Sequence, residues 1–138
     1  MSRIDLWQNR CRIGLSAFYG LAGILHIAMP EPFLTITPAW VPNPAAVIML
    51  TGLCEIAGAL GLFIPALRQY AGIGLALYAV CVFPANIKHA IDTLSGSAVS
   101  PGQWLYHTIR LPLQPLIIWM ALFAGKTLPR SGSKATGP

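Results

Sequence analysis

Residues 46–64 read AVIMLTGLCEIAGALGLFI, and a single acid, Glu55, stands near the middle of that run. The run is long enough to cross the hydrocarbon core of a bilayer, which takes about 20 residues at ~1.5 Å rise each. A carboxylate at that depth costs at least ~2.5 kcal/mol on insertion scales, so an intramembrane acid faces a partner or a cavity rather than lipid. Thr51, Gly52, Gly58 and Ala59 lie three and four residues from Glu55, and they give it a small-residue helix face of the kind that packs on other helices. The stretch therefore predicts a membrane helix packed among others, with Glu55 turned inward.

Composition extends that reading to the whole chain. Of its 138 residues, 55% are hydrophobic and only 9% charged, against roughly 25% charged in a soluble domain. The mean hydropathy is +0.63. These values predict an all-α integral membrane protein of one small domain, with the lipid bilayer as its surroundings. The net charge of +5 is not gathered into a stripe. Basic residues flank the apolar runs, as the positive-inside rule describes, which argues against a nucleic-acid partner. Cys11, Cys54 and Cys81 form no CxxC pair and no metal-ligand spacing, so no metal is expected. Cys54 and Cys81 sit inside apolar runs and read as small, buried packing residues. A redox pair between them stays open.

Taken in order, residues 1–12 predict a basic, cytoplasmic N-terminus with an interfacial turn at Trp7. Residues 13–124 predict a four-span membrane domain. The first span covers residues 13–29 and is read as a retained span rather than a cleaved signal, because PEPF follows it with no small-residue cleavage pattern. Tyr19, Gly23 and His26 share one of its faces. Residues 30–44, PEPFLTITPAWVPNP, hold five prolines and cannot form one continuous helix. With Phe33 and Trp40 they predict an ordered interfacial loop lying across the mouth of the helices. The second span carries Glu55, the third runs over residues 70–87 with Pro84 near its end, and the fourth runs from about Trp104 to Ala124. His107, Arg110 and Gln114 lie in the first half of that fourth span, made irregular by Pro112 and Pro115. Residues 125–138, basic and rich in Gly, Ser and Pro, predict a disordered cytoplasmic tail.

Arginine and lysine cluster before span one, between spans two and three, and in the tail, but not between spans one and two. This bias places both termini in the cytoplasm. It also brings the intramembrane polar residues to one level. His26, Asn86, Lys88, His89, Arg110 and Gln114 gather in the outer half, above Glu55 near the midplane. An ion pair between Arg110 and Glu55 is the preferred expectation, with His26 as the alternative partner of Glu55. Such a pair often does nothing except neutralise itself and fix helix register. The convergence of His26, Glu55, Asn86, Arg110 and Gln114 under a proline-rich loop argues for a ligand-binding pocket. The spans lack the paired histidines of a haem site.

GILHIAMPEPFLTITPAWVPNP, LTGLCEIAGALGLFIP, VFPANIKHA and RLPLQPLIIW, in that order, resemble the successive motifs of the DoxX-like membrane proteins. The resemblance covers residues 13–124. It implies a membrane four-helix bundle and places His26, Pro30, Glu55, Pro84, Asn86, Arg110, Pro112 and Gln114 at the family's marked positions. Lys88 departs from the pattern, where an uncharged residue is usual. The resemblance implies a redox-associated accessory subunit of the bacterial inner membrane, binding a quinone- or lipid-like molecule beside a redox protein. Two alternatives stand beside it. One is a membrane enzyme performing isomerase-like proton transfer on a lipid or isoprenoid, with Glu55 and His26 as the catalytic candidates. The other is a structural or chaperone-like subunit. Whether the chain is an enzyme, and whether it self-associates, are left open by the residues alone. No cofactor other than a quinone is suggested.

Overall fold

The computed structural model describes residues 2–128. The chain folds into α1 (Arg3–Ala28), α2 (Glu31–Ile36), α3 (Pro44–Gly61), α4 (Arg68–Leu94) and α5 (Pro101–Ala124), with no strand among the described residues. The expected all-α class is observed. α1, α3 and α4 are long and apolar enough to cross a membrane. Leu21, Leu50, Leu53, Leu60 and Leu77 stand exposed on them, an apolar surface that suits lipid and not water. These features mark a membrane protein. α5 matches the others in length, but His107, Arg110 and Gln114 dilute its apolar character.

Helix ends run past the apolar runs because polar caps extend them. The interfacial turn expected at Trp7 is helix instead, since Ser2 and Asp5 form a reciprocal capping box that starts α1 at Arg3. Ser100 and Gln103 form a second box, with Pro101 in the first turn, so α5 starts ahead of Trp104. α4 continues through Pro84 to Leu94, beyond the expected end at residue 87. The expectation for the tail falls mostly on residues 129–138, which lie outside the described residues. Lys126 turns back at φ 61° and its ammonium lies 3.7 Å from the Asp5 carboxylate.

Each long helix packs on two others, in the cyclic order α1, α3, α4, α5. Gly23 and Gly52 set the closest crossing. A Cβ on Gly23 would lie 2.6 Å from the Gly52 carbonyl oxygen, so α1 and α3 touch backbone to backbone. Ser16 donates to the Ala59 carbonyl at 2.9 Å, which fixes these two helices as antiparallel. At the end holding the termini the core is tight and rich in small residues: Ala59, Leu62, Leu75, Ala76, Ala79, Ala121 and Ala124. Two arginines finish helices there. Arg12 donates to the Ala124 carbonyl at 3.3 Å, and Arg68 to the Leu62 carbonyl at 3.0 Å. Cations suit these sites because the last carbonyls of a helix lack internal partners and carry its negative dipole end. Cys54 and Cys81 are free, exposed thiols, which corrects the expectation of buried packing, and Cys81 lines the cavity left between the helices.

Candidate functional site

At the opposite end the long helices leave a cavity of about 490 Å³. Its size lies within the usual range for a small-molecule site. The segment between α1 and α3 roofs it, with Phe33, Ile36, Thr37, Pro38, Trp40 and Val41 facing in. This is the loop across the helix mouth that the prolines predicted. It is ordered around the single helical turn-and-a-half of α2. Most of the remaining wall is apolar, from Phe18, Ile48, Val82, Leu113 and Ile117. All five predicted site residues (His26, Glu55, Asn86, Arg110 and Gln114) line it.

Those five divide into two polar poles. At the first, His26 Nδ1 lies 2.7 Å from Glu55 Oε2 and 2.9 Å from the Ala22 carbonyl oxygen. Both neighbours can only accept from it when Glu55 is ionised, so Nδ1 carries the proton. No protein group bonds Nε2 among the described residues. Glu55 is only 3% exposed, and the Tyr78 phenol interacts with both its carboxylate and Thr51. The His26 ring also packs against Phe33 of α2, centroids 3.9 Å apart, which ties the roof to this pole. The two glycines bring the pair within reach because each residue packs across the other helix's glycine: a Cβ on Gly52 would lie 2.9 Å from the His26 Cβ, and one on Gly23 3.2 Å from the Glu55 Cβ.

The second pole belongs to α4 and α5. Arg110 Nη2 donates to Asn86 Oδ1 at 2.6 Å, Asn86 Nδ2 to Gln114 Oε1 at 3.1 Å, and Gln114 Nε2 to the Ala79 carbonyl at 2.7 Å. Each amide thus accepts from one side and donates to the other, an arrangement in which successive bonds polarise one another. The relay ends on the Ala79 carbonyl, next to that of Val80, which Pro84 leaves without its helical donor. Proline donates no hydrogen bond to the carbonyl four residues back, and its ring crowds that carbonyl. Arg110 Nη1 meets His89 Nδ1 at 3.0 Å. Arginine cannot accept, so His89 accepts here and carries its proton on Nε2. The guanidinium also lies 5.4 Å from the centre of the Tyr106 ring.

The expected Arg110–Glu55 ion pair does not form. His26, on the helix in backbone contact with α3, takes the carboxylate, while Arg110 is engaged by nearer acceptors on α4. Lys88, the departure from the DoxX-like pattern, is exposed and pairs with Asp92 one turn on, away from the cavity wall. Two further residues belong to the second pole. His89 is the acceptor just described. His107 is only 1% exposed, with its ring 4.9 Å from that of His89 and its Nδ1 unpartnered among the described residues. The signal for both was present. His89 lies three residues after Asn86, and His107 three before Arg110, the spacing that shares a helix face. No group of three or more His, Cys, Asp or Glu side chains gathers as a metal site among the described residues.

The arrangement is chemically two-ended. A carboxylate–imidazole pair stands at one point of an apolar chamber and a charged donor cluster at another. No curated protein and no solved structure matches the chain. One family does match, over residues 15–124, a stretch that takes in every residue lining the cavity: the chain belongs to the family described as a domain of unknown function, DUF8561.

Proposed function

We propose that the chain is a four-span membrane protein of DoxX-like kind, with α5 as the fourth span and both termini in the cytoplasm of a bacterium. It binds a quinone- or lipid-like molecule in the roofed cavity, as an accessory subunit beside a redox protein. The observation that carries the ligand reading is the cavity itself: an apolar chamber whose polar groups converge at two points. The bacterial inner membrane and the redox partner rest on the resemblance of the four motifs. Mass spectrometry of the purified protein tests the ligand reading. A quinone or single-chain lipid is expected to co-purify, and Ala85→Trp, which fills the cavity from α4, is expected to remove most of it. A cavity that retains nothing, with Ala85→Trp indistinguishable from the parent, would count against the proposal.

A second reading is favoured by one observation, the 2.7 Å contact between His26 and Glu55. With Nδ1 held by the carboxylate, Nε2 is the imidazole's basic nitrogen and can take a proton from a bound molecule. Glu55 then stabilises the imidazolium that forms. In this reading the chain is an isomerase-like enzyme on a lipid or isoprenoid. Deuterium incorporation into the co-purified molecule, lost in His26→Asn, is the expected signature. Unchanged incorporation in that variant would exclude His26 as the base.

A further inference from the structure

The two poles of the cavity differ in how their charge is balanced. Glu55 has a partner that can carry the opposite charge. Arg110 has none: the ion pairs among the described residues are His26–Glu55, Lys88–Asp92 and Lys126–Asp5, and Arg110 is in no pair. Its two hydrogen-bond partners, Asn86 and His89, are neutral acceptors. An arginine is always protonated, so this wall of a largely apolar chamber carries a full positive charge with no anion beside it. A partly buried charge without a counter-ion is unfavourable unless something supplies one.

The donors are also incompletely used. A guanidinium offers five N–H groups in one plane. One on Nη1 and one on Nη2 are taken, which leaves three, including that on Nε. Asn86 and Gln114 have both ends engaged in the relay, so they hold Arg110 in place and offer a ligand little of their own. What remains at this pole is one fixed, planar, singly charged fork.

We infer that Arg110 docks the carboxylate of a single-chain, fatty-acid-like anion, whose tail lies along the apolar wall formed by Phe18, Ile48, Val82, Leu113 and Ile117. The inference rests on the ligand reading proposed above and narrows it from any amphipath to a monoanion. A carboxylate matches the fork because both of its oxygens can accept in the guanidinium plane. A phosphate monoester would bring two charges to one cation, with no second arginine or lysine among the cavity residues to meet them. A two-chain phospholipid is larger than the drug-sized molecules that cavities of this volume hold.

The test uses the full chain in nanodiscs, titrated with radiolabelled palmitate, its methyl ester and a neutral short-chain quinone, with empty nanodiscs subtracted. Palmitate is expected to bind at least about tenfold more tightly than the ester, the scale of one charge-assisted hydrogen bond. Arg110→Gln is expected to lower palmitate affinity to that of the ester. Arg110→Lys should retain part of the preference, since it keeps the charge but not the fork. Asn86→Asp, nearly isosteric, places an internal carboxylate on Arg110 and is expected to abolish the preference. Palmitate and ester binding equally to the parent protein would overturn the inference, and this comparison needs no variant to fold. The quinone binding while palmitate does not would overturn the inference and leave the broader reading standing. Binding of none of the three would overturn both.

Discussion

At the scale of single residues, Glu55 is the group whose surroundings matter most. It is a nearly dry carboxylate that takes a 2.7 Å hydrogen bond from a histidine 29 residues earlier in the chain. His26→Ala leaves that acceptor without its histidine donor and is expected to cost about 1–3 kcal/mol. Glu55→Gln should cost less, because an amide oxygen still accepts from Nδ1. His26→Ala combined with Glu55→Leu should recover part of the single-variant loss, since both partners of the contact are then gone. Thermal unfolding in detergent checks the order: His26→Ala lowest, the double variant above it, Glu55→Gln nearest the parent. A double variant less stable than either single change would show that the pair is not what stabilises this crossing. The sequence grouped the cavity residues correctly because an intramembrane polar side chain has few places to go. It did not resolve who meets whom. Arg110 and His26 are both within reach of Glu55 by depth alone, and the choice depends on helix rotation and on the glycine contact, which residue spacing does not encode.

At the scale of elements, the α1–α3 crossing sets the first pole. Gly52 admits the Gly23 carbonyl and the His26 Cβ at distances a side chain would occupy, 2.9 Å each from a Cβ placed there. Gly52→Val must therefore push α1 away, at a cost of about 1–3 kcal/mol for overpacking. The displacement carries His26 off Glu55. The expected result is a lower unfolding temperature together with loss of the co-purified molecule, whereas Gly20→Val, at a position with open space around it, should change neither. Element ends were the least legible part of the chain. Apolar runs mark where a helix crosses lipid, but the capping boxes at Ser2 and Ser100 decide where it starts. Those boxes are short polar patterns (Ser with Asp or Gln three residues on) that lie outside the apolar runs. The roof was legible for the opposite reason: five prolines in fifteen residues leave a chain few ways to be regular.

At the scale of the whole molecule, the arginines and lysines separate along the helix axes. Arg3, Arg10, Arg12, Arg68 and Lys126 sit at the end opposite the cavity, while Lys88 and Arg110 lie toward the cavity end. In the proposed orientation, which follows the positive-inside rule, the first end is cytoplasmic and the cavity opens toward the outer leaflet. This orientation requires α5 to cross the membrane despite its polar first half. The requirement is reasonable because His107 and Gln114 are buried and Arg110 is turned into the cavity, so little of that polarity meets lipid. Single cysteines in a background with Cys11, Cys54 and Cys81 changed to serine separate the possibilities. In right-side-out vesicles an impermeant maleimide is expected to label Ser97→Cys, in the α4–α5 connection. Ser2→Cys and Lys126→Cys should be labelled only after permeabilisation. If α5 instead lay along the surface, Lys126→Cys would be labelled together with Ser97→Cys. If the orientation were reversed, all three results would invert. Labelling of Lys126→Cys is the decisive comparison, because it alone reports whether the helix bearing Arg110 and Gln114 spans the bilayer, and hence whether the second pole stands at membrane depth facing the first.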